Sequence, residues 1–162
     1  EASLFRVPHT VMLDNAKFKF WYGGGSSYID GTNKTLPVYN IRYLESNSLI
    51  NIPDKGIEVL DTIDEEHRVG RPNVLKDNEL FKMYFGFGSD KKPYQLGYAE
   101  SRDGKNWSRD DLKLGLPLSS SGWDSEMMAY PCVVKVNNKT YMFYNGNEYG
   151  KYGFGYAELV QE

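Results

Sequence analysis

Short stretches of alternating apolar and polar residues, broken every few positions by Gly, Pro, Asn or Asp, run along the whole chain. That pattern predicts brief β-strands joined by turns rather than helices. One stretch recurs. Phe18-Lys19-Phe20-Trp21-Tyr22-Gly23 is echoed by Phe81-Lys82-Met83-Tyr84-Phe85-Gly86 and by Tyr141-Met142-Phe143-Tyr144-Asn145-Gly146, a spacing of about 60 residues. A proline-led strand precedes each run, at Pro8, Pro72 and Pro131, with the polar turns Asp14-Asn15-Ala16-Lys17, Asp77-Asn78-Glu79 and Asn137-Asn138-Lys139 between. Such residues tolerate hairpin dihedrals, so each unit opens with a β-hairpin.

A third strand follows in each unit: Tyr39 to Ser46, Tyr94 to Ser101 and Tyr152 to Leu159, matching in a tyrosine, a second tyrosine four residues on, and a glutamate. After the second copy, Asp103-Gly104 marks a turn and Trp107 starts a fourth, outermost strand. Four antiparallel strands per unit, repeated radially, make a propeller blade. The expected fold is therefore all-β: a β-propeller-like array of about three four-stranded antiparallel blades in one domain over 1–162. The units span about 1–60, 61–120 and 121–162, the last without its outer strand. Closed propellers have roughly 4 to 8 blades. Three imply a missing stretch of chain, a second copy such as a homodimer, or an open assembly. A β-sandwich with chance similarity among its strands is the competing architecture. Ile57 to His67 carries apolar residues three apart but is rich in acid, and reads as a solvated connector.

Aromatic content sharpens this picture: 13 Tyr, 8 Phe and 3 Trp make up 15% of the 162 residues. Most must be core, but exposed rings also suit sugar faces. The 19 basic and 22 acidic residues give a net charge of −3, with no broad positive field for a phosphate backbone; nucleic acid is disfavoured as a partner. One cysteine, Cys132, excludes an intrachain disulfide framework and a cysteine-cluster zinc site. Metal and cofactor are not signalled. With no apolar run of about 20 residues, a membrane partner is not expected either. The chain reads as soluble, with the cytoplasm favoured and the redox compartment left open.

Three segments carry a resemblance: Arg71-Pro72-Asn73-Val74, the run from Tyr94 through Gly97-Tyr98-Ala99-Glu100-Ser101 to Trp107, and Gly122-Trp123-Asp124-Ser125-Glu126 leading to Tyr130-Pro131. They resemble the five-bladed β-propeller glycoside hydrolase group of arabinanases, β-xylosidases, invertases and mannoside phosphorylases. The chain is most similar to glycosidase-like proteins found among surface-glycan genes. The resemblance implies a carbohydrate partner and a protein that hydrolyses glycosidic bonds, or a non-catalytic carbohydrate-binding or scaffold propeller.

Glycoside hydrolysis requires two carboxyl groups flanking the scissile bond. Glu126 stands just before the inner strand of the third unit, where the resembling enzymes carry their general acid, and Met127, Met128 and Tyr130 would desolvate it. Asp124, two residues earlier, would face the same side of an extended segment, roughly 7 Å away, as its partner. The resembling enzymes place their base on the first inner strand, but Arg6 to Val11 has no carboxylate. Arg71 is a candidate clamp for a carboxylate or phosphate, or a charged strand end. Arg6 occupies the matching place in the first unit, and such a pair favours an acidic sugar. His9, near the axis, is a candidate substrate contact. Asn145 and Asn147 are candidates for hydrogen bonds to hydroxyl groups, with a turn role open for Asn147. Tyr130 completes the substrate-binding set. Gly23-Gly24-Gly25-Ser26-Ser27 reads as a flexible loop, and Cys132 as a small buried hydrophobe.

Overall fold

The computed structural model describes residues 5–160. Blade one is built from β1 (Phe5–Asp14), β2 (Lys17–Asp30), β3 (Thr35–Ser46) and β4 (Ile57–Leu60), each antiparallel to the last. Blade two contains β5 (Arg68–Asp77), β6 (Leu80–Gly88), β7 (Gln95–Ser101) and the two-residue β8 (Ser108–Arg109). Blade three has β9 (Ala129–Val136), β10 (Lys139–Asn145) and β11 (Phe154–Glu158). A single parallel bridge, Tyr39 to Arg68, links the first two blades. The expected propeller-like array is what folds.

Each inner hairpin turn opens on an asparagine in the left-handed region, Asn15, Asn78 and Asn137. Asn15 and Ala16 have φ of 49° and 61°, and Asn137 and Asn138 have 49° and 65°, the paired positive values that match the twist of the flanking strands. Their registers correct one alignment. Val136, directly before its turn, matches Asp14 and Asp77, so Tyr144 corresponds to Phe85 rather than Tyr84, and Phe143 takes the place of Trp21 and Tyr84. Side chains alternate strictly between the two faces of a strand, so this one-residue shift decides which rings meet which blade.

Two apolar cores fill the seams between blades. In the first, Trp21, Ile41 and Tyr43 of blade one pack with Val74, Phe81, Met83 and Phe85 of blade two. In the second, Leu96 of blade two meets Val133, Met142 and Tyr144 of blade three. Polar stitches repeat at each seam. The Thr10 hydroxyl donates to the Pro72 carbonyl (2.8 Å) and accepts from the Val74 amide (3.1 Å). One seam along, Asn73 Oδ1 accepts from the Val133 amide at 2.9 Å. Asp14 pairs with Lys19 and Lys76, and Asp77 with Lys82 and Lys135. The recurring Tyr-x-Glu of the third strands is also a contact: Tyr98 donates to Glu100 at 2.8 Å, and Tyr43 donates likewise to Glu45.

Gly104, at φ 77°, accepts from both the Trp21 and Trp107 indoles through its carbonyl (2.9 and 3.0 Å), and a Cβ there would lie 2.9 Å from the Trp21 ring. The Asp-Gly turn is therefore fixed by packing as well as by its dihedral. Three expectations are corrected. Gly23 to Ser27 is no loop but part of β2: a Cβ on Gly24 would sit 2.6 Å from the buried Arg42 side chain, so glycine makes room for that arginine to cross the strand. The Ile57 to His67 segment is not all connector, since its first four residues form the outer strand of blade one. Cys132 is exposed, because it points to the face of blade three that no other blade covers.

Candidate site at the inner strands

Each inner hairpin is interrupted by a bulge, at Pro8/Thr10, Gly70/Asn73 and Phe143/Asn145. Bulges bend a strand and re-aim a side chain, and they concentrate beside functional sites. Here they aim Arg71 and Tyr130. Both adopt left-handed dihedrals, φ 54° and 63°, a strain that non-glycine residues sustain only when their surroundings fix them.

Those surroundings are aromatic and cationic. The Arg71 guanidinium lies 3.8 Å from the centroid of the Tyr130 ring. Tyr149 stacks on Tyr130 with centroids 6.2 Å apart, and Tyr94 is 6.3 Å from Tyr130 and 6.0 Å from Tyr149. Arg68 lies 4.3 Å over Tyr94, held there by Nη2 bonds to the Ser89 and Lys92 carbonyls. The hydroxyls of Tyr39 and Tyr94 meet. Burial is the main force raising the pKa of both phenols, so they stay protonated donors near neutrality. Among the described residues neither Arg68 nor Arg71 forms a salt bridge with a carboxylate, although the Arg68 charge reaches Asp90, and the cluster presents donors, ring faces and positive charge.

His9 occupies the bulge of β1. Burial first, and the nearby Arg71 charge second, push its pKa down from 6.5 to about 4, and its Nε2 is buried without a partner. The imidazole is therefore neutral at pH 7. Because the unfolded chain takes up this proton near pH 6.5 and the folded chain only near pH 4, stability falls as pH drops through that window. The thermal midpoint should decline between pH 6.5 and about 4, and His9→Gln should flatten that slope. A slope unchanged in the variant would show that other groups cause it.

The remaining candidates are placed as follows. The segment 119–128 is not extended: Trp123 stacks on Tyr144 (5.3 Å, 23°), and the chain turns. Asp124 and Glu126 consequently do not share a face. Asp124 is buried and accepts from the Tyr144 hydroxyl at 2.9 Å, a bond that, after burial, lifts the Tyr144 pKa to about 12. Glu126 is exposed. Asn147 is the brace of its loop: its Oδ1 accepts from the Glu126 and Met127 amides (2.9 and 3.0 Å), and its Nδ2 donates to the Gly122 carbonyl. Asn145 donates to the Tyr149 carbonyl at 3.2 Å and so positions that ring. Both asparagines bond backbone. Arg6 borders a hollow of about 290 Å³ with Phe20 and Tyr22, on the face of blade one turned away from blade two. No group of three or more His, Cys, Asp or Glu able to hold a metal occurs among the described residues. Nor is any helix there long and apolar enough to cross a membrane.

Sequence reasoning missed Arg68, Tyr39, Tyr94 and Tyr149. The two tyrosines that open the third strands were a visible repeat, read only as strand. The left-handed turn that presents Tyr149, with Glu148 and Tyr149 at φ 51° and 59°, leaves no mark in residue type.

No family model matches the chain. It is 31% identical over 150 residues to the uncharacterised protein Rv1502 of Mycobacterium tuberculosis strain H37Rv, covering 92% of this chain and 49% of that protein. The chain thus spans about half the length of the curated relatives it matches. Among solved structures it is similar to Zg3597, a family 117 glycoside hydrolase produced by Zobellia galactanivorans (TM-score 0.73, 13% identity, 94% of this chain and 50% of that one). It is equally similar to a thermostable family-43 glycoside hydrolase (TM-score 0.73, 14% identity, 100% and 57%). The Bombyx mori GH32 β-fructofuranosidase BmSUC1 follows (TM-score 0.66, 18% identity, 94% and 33%). At such identities the likeness establishes the fold. The chain forms an arc of the five-bladed propeller found in these glycoside hydrolases.

Proposed function

We propose that this chain is a carbohydrate-acting propeller unit that holds an anionic sugar at the inner ends of its blades. The observation that carries this reading is the Arg71–Tyr130 pair, set at two strained bulges and flanked by Arg68, Tyr94 and Tyr149. Aromatic faces suit the apolar face of a pyranose, and a guanidinium suits a carboxylate through two parallel hydrogen bonds. The structures that share the fold are glycoside hydrolases, which supports carbohydrate as the ligand class.

Hydrolysis is a second reading, favoured by one observation: Glu126 is exposed on a loop that Asn147 braces at the approach to β9. A two-carboxylate mechanism needs a partner for it. Asp124 is engaged by Tyr144, so in this reading the second carboxyl comes from residues that complete the ring. Titration with a uronic-acid oligosaccharide and a neutral one of equal length, with reducing ends assayed for the native chain and Glu126→Gln, tests both readings. We expect tighter binding of the acidic sugar, retained in Glu126→Gln, and loss in that variant of any hydrolysis the native chain shows. Equal affinity for the two sugars would refute the anionic site, and unchanged hydrolysis would remove Glu126 from the mechanism.

A further inference from the structure

The bulges of β1 and β5 are bonded to one another. Thr10 follows His9 and Pro72 follows Arg71, and the Thr10 hydroxyl donates to the Pro72 carbonyl at 2.8 Å while accepting from the Val74 amide at 3.1 Å. His9 and Arg71 are therefore neighbours on facing strands, fixed by the Thr10 bonds rather than by a contact between their own side chains. The strand registers place His9 where blades two and three have Pro72 and Pro131, each directly before the residue that faces Tyr84 or Phe143. Both prolines are buried. Blade one thus puts an ionisable ring at a position that is apolar in the other two.

That ring is left incomplete. Its Nε2 is buried without a partner, a loss that an apolar residue would avoid. Burial first, and the Arg71 charge second, oppose protonation, so the free chain keeps the imidazole neutral down to about pH 4. Around His9, β5 presents Arg71, and β2 presents Trp21 and Tyr22 across the bulge. Arg6, on β1 itself, borders the hollow of Tyr22 on the other face. Beyond Arg71 lies Tyr130 of β9, its ring 3.8 Å from the guanidinium. Among the described residues no carboxylate shifts His9, and the charge that does is Arg71. One of the two forces that hold the proton off therefore sits on the residue that an anionic sugar would cover.

We infer that His9 is the proton-linked partner of Arg71: a sugar carboxylate seated on the Arg71 guanidinium draws a proton onto the His9 imidazole, and the site then holds that carboxylate with two cations. A carboxylate that neutralises Arg71 removes a repulsion from His9 and adds an attraction. By linkage the converse holds, and a proton on His9 strengthens the hold on the carboxylate by the same factor. Affinity is flat well above the raised pKa, grows as pH falls through it, and levels off near pH 4, where the free chain is protonated as well. The proton comes from the buffer, and no covalent bond changes. The inference rests on the Arg71 sugar site and extends it from what that site binds to the conditions under which it binds most tightly.

Nuclear magnetic resonance of the imidazole C–H signals tests it, because the chain has two histidines and His9→Gln identifies the one in question. In the free chain the His9 signal should titrate near pH 4. With a saturating uronic-acid trisaccharide it should titrate about two pH units higher, the middle of the range for an opposite charge arriving nearby. A neutral trisaccharide should leave it in place. Calorimetric titration should then give an acidic-sugar Kd about tenfold lower at about pH 5 than at about pH 7.5, with most of a proton taken up from the buffer at about pH 5.5. The Kd of the neutral sugar should not change with pH. In His9→Gln the acidic-sugar Kd should be the same at both pH values, with no proton taken up. The native titration and proton uptake decide the matter even if that variant misfolds. A His9 signal that the acidic sugar does not move, or a gain at acidic pH that persists in His9→Gln, overturns the inference and leaves the sugar site standing. Failure of the acidic trisaccharide to bind at either pH overturns the Arg71 site and this inference with it.

Discussion

Trp21→Ala should lower the unfolding free energy by about 3–5 kcal/mol, the range for removing a large buried aromatic. The indole is 0% exposed and packs with Tyr43, Phe81 and Trp107 at centroid distances of 5.3, 5.8 and 6.4 Å. It joins two blades and anchors the Gly104 turn through its Nε1 bond. Truncation leaves a cavity at the seam and removes one of the two indole bonds to the Gly104 carbonyl, and neither blade can collapse into the gap without breaking its sheet. Native domains have roughly 5–15 kcal/mol of total stability, so a large share of that reserve is lost. Urea denaturation followed by tryptophan-independent far-UV circular dichroism measures it. A loss under about 1 kcal/mol, less than a typical core truncation, would mean the blades fold without that seam.

Arg71→Ala should weaken binding of an anionic oligosaccharide about 30-fold, near 2 kcal/mol, as expected for a central guanidinium that makes charge-assisted bonds. A neutral oligosaccharide should bind the variant nearly as before. The contrast isolates the charge. Tyr130→Ala should weaken both, because the ring face serves either sugar and also supports the Arg71 guanidinium. Raised salt should reduce the acidic ligand's advantage, since Arg71 is exposed and therefore screened. Equal losses for acidic and neutral sugars in Arg71→Ala would show that the arginine acts through packing alone.

The architecture was largely legible because blades advertise themselves locally. A proline-led strand, a turn of asparagine and aspartate, and an aromatic run are features of neighbouring residues, and their recurrence fixes the repeat. Register within the third copy was less legible: the aromatic run from Tyr141 matches the earlier ones by composition, and only the turn at Asn137 and Asn138 shows the one-residue shift. Gly23 to Gly25 misled because glycine signals a loop by propensity, whereas here tertiary packing of Arg42 demands it inside a strand.

The site was legible in part. Arg71 and Tyr130 stand out beside their prolines, and their contact across two blades follows from the propeller. Asp124 and Glu126 were expected on one face of an extended segment, but Trp123 stacking and the Asn147 brace fold that segment into turns. Such side-chain bonds to distant backbone have no periodic signature. The same holds for Arg68 on Tyr94, a pairing between residues of one blade whose closeness depends on the carbonyls of Ser89 and Lys92.

The central claim is that a sugar sits on the arginine and tyrosine surface at the inner strands. A crystal structure of the chain with a uronic-acid trisaccharide tests it most directly. The account predicts the uronate carboxylate within hydrogen-bonding distance of Arg71 and a pyranose ring against Tyr130 or Tyr149. A trisaccharide bound elsewhere on the blades, with Arg71 still stacked on Tyr130 and touching no ligand atom, would contradict it.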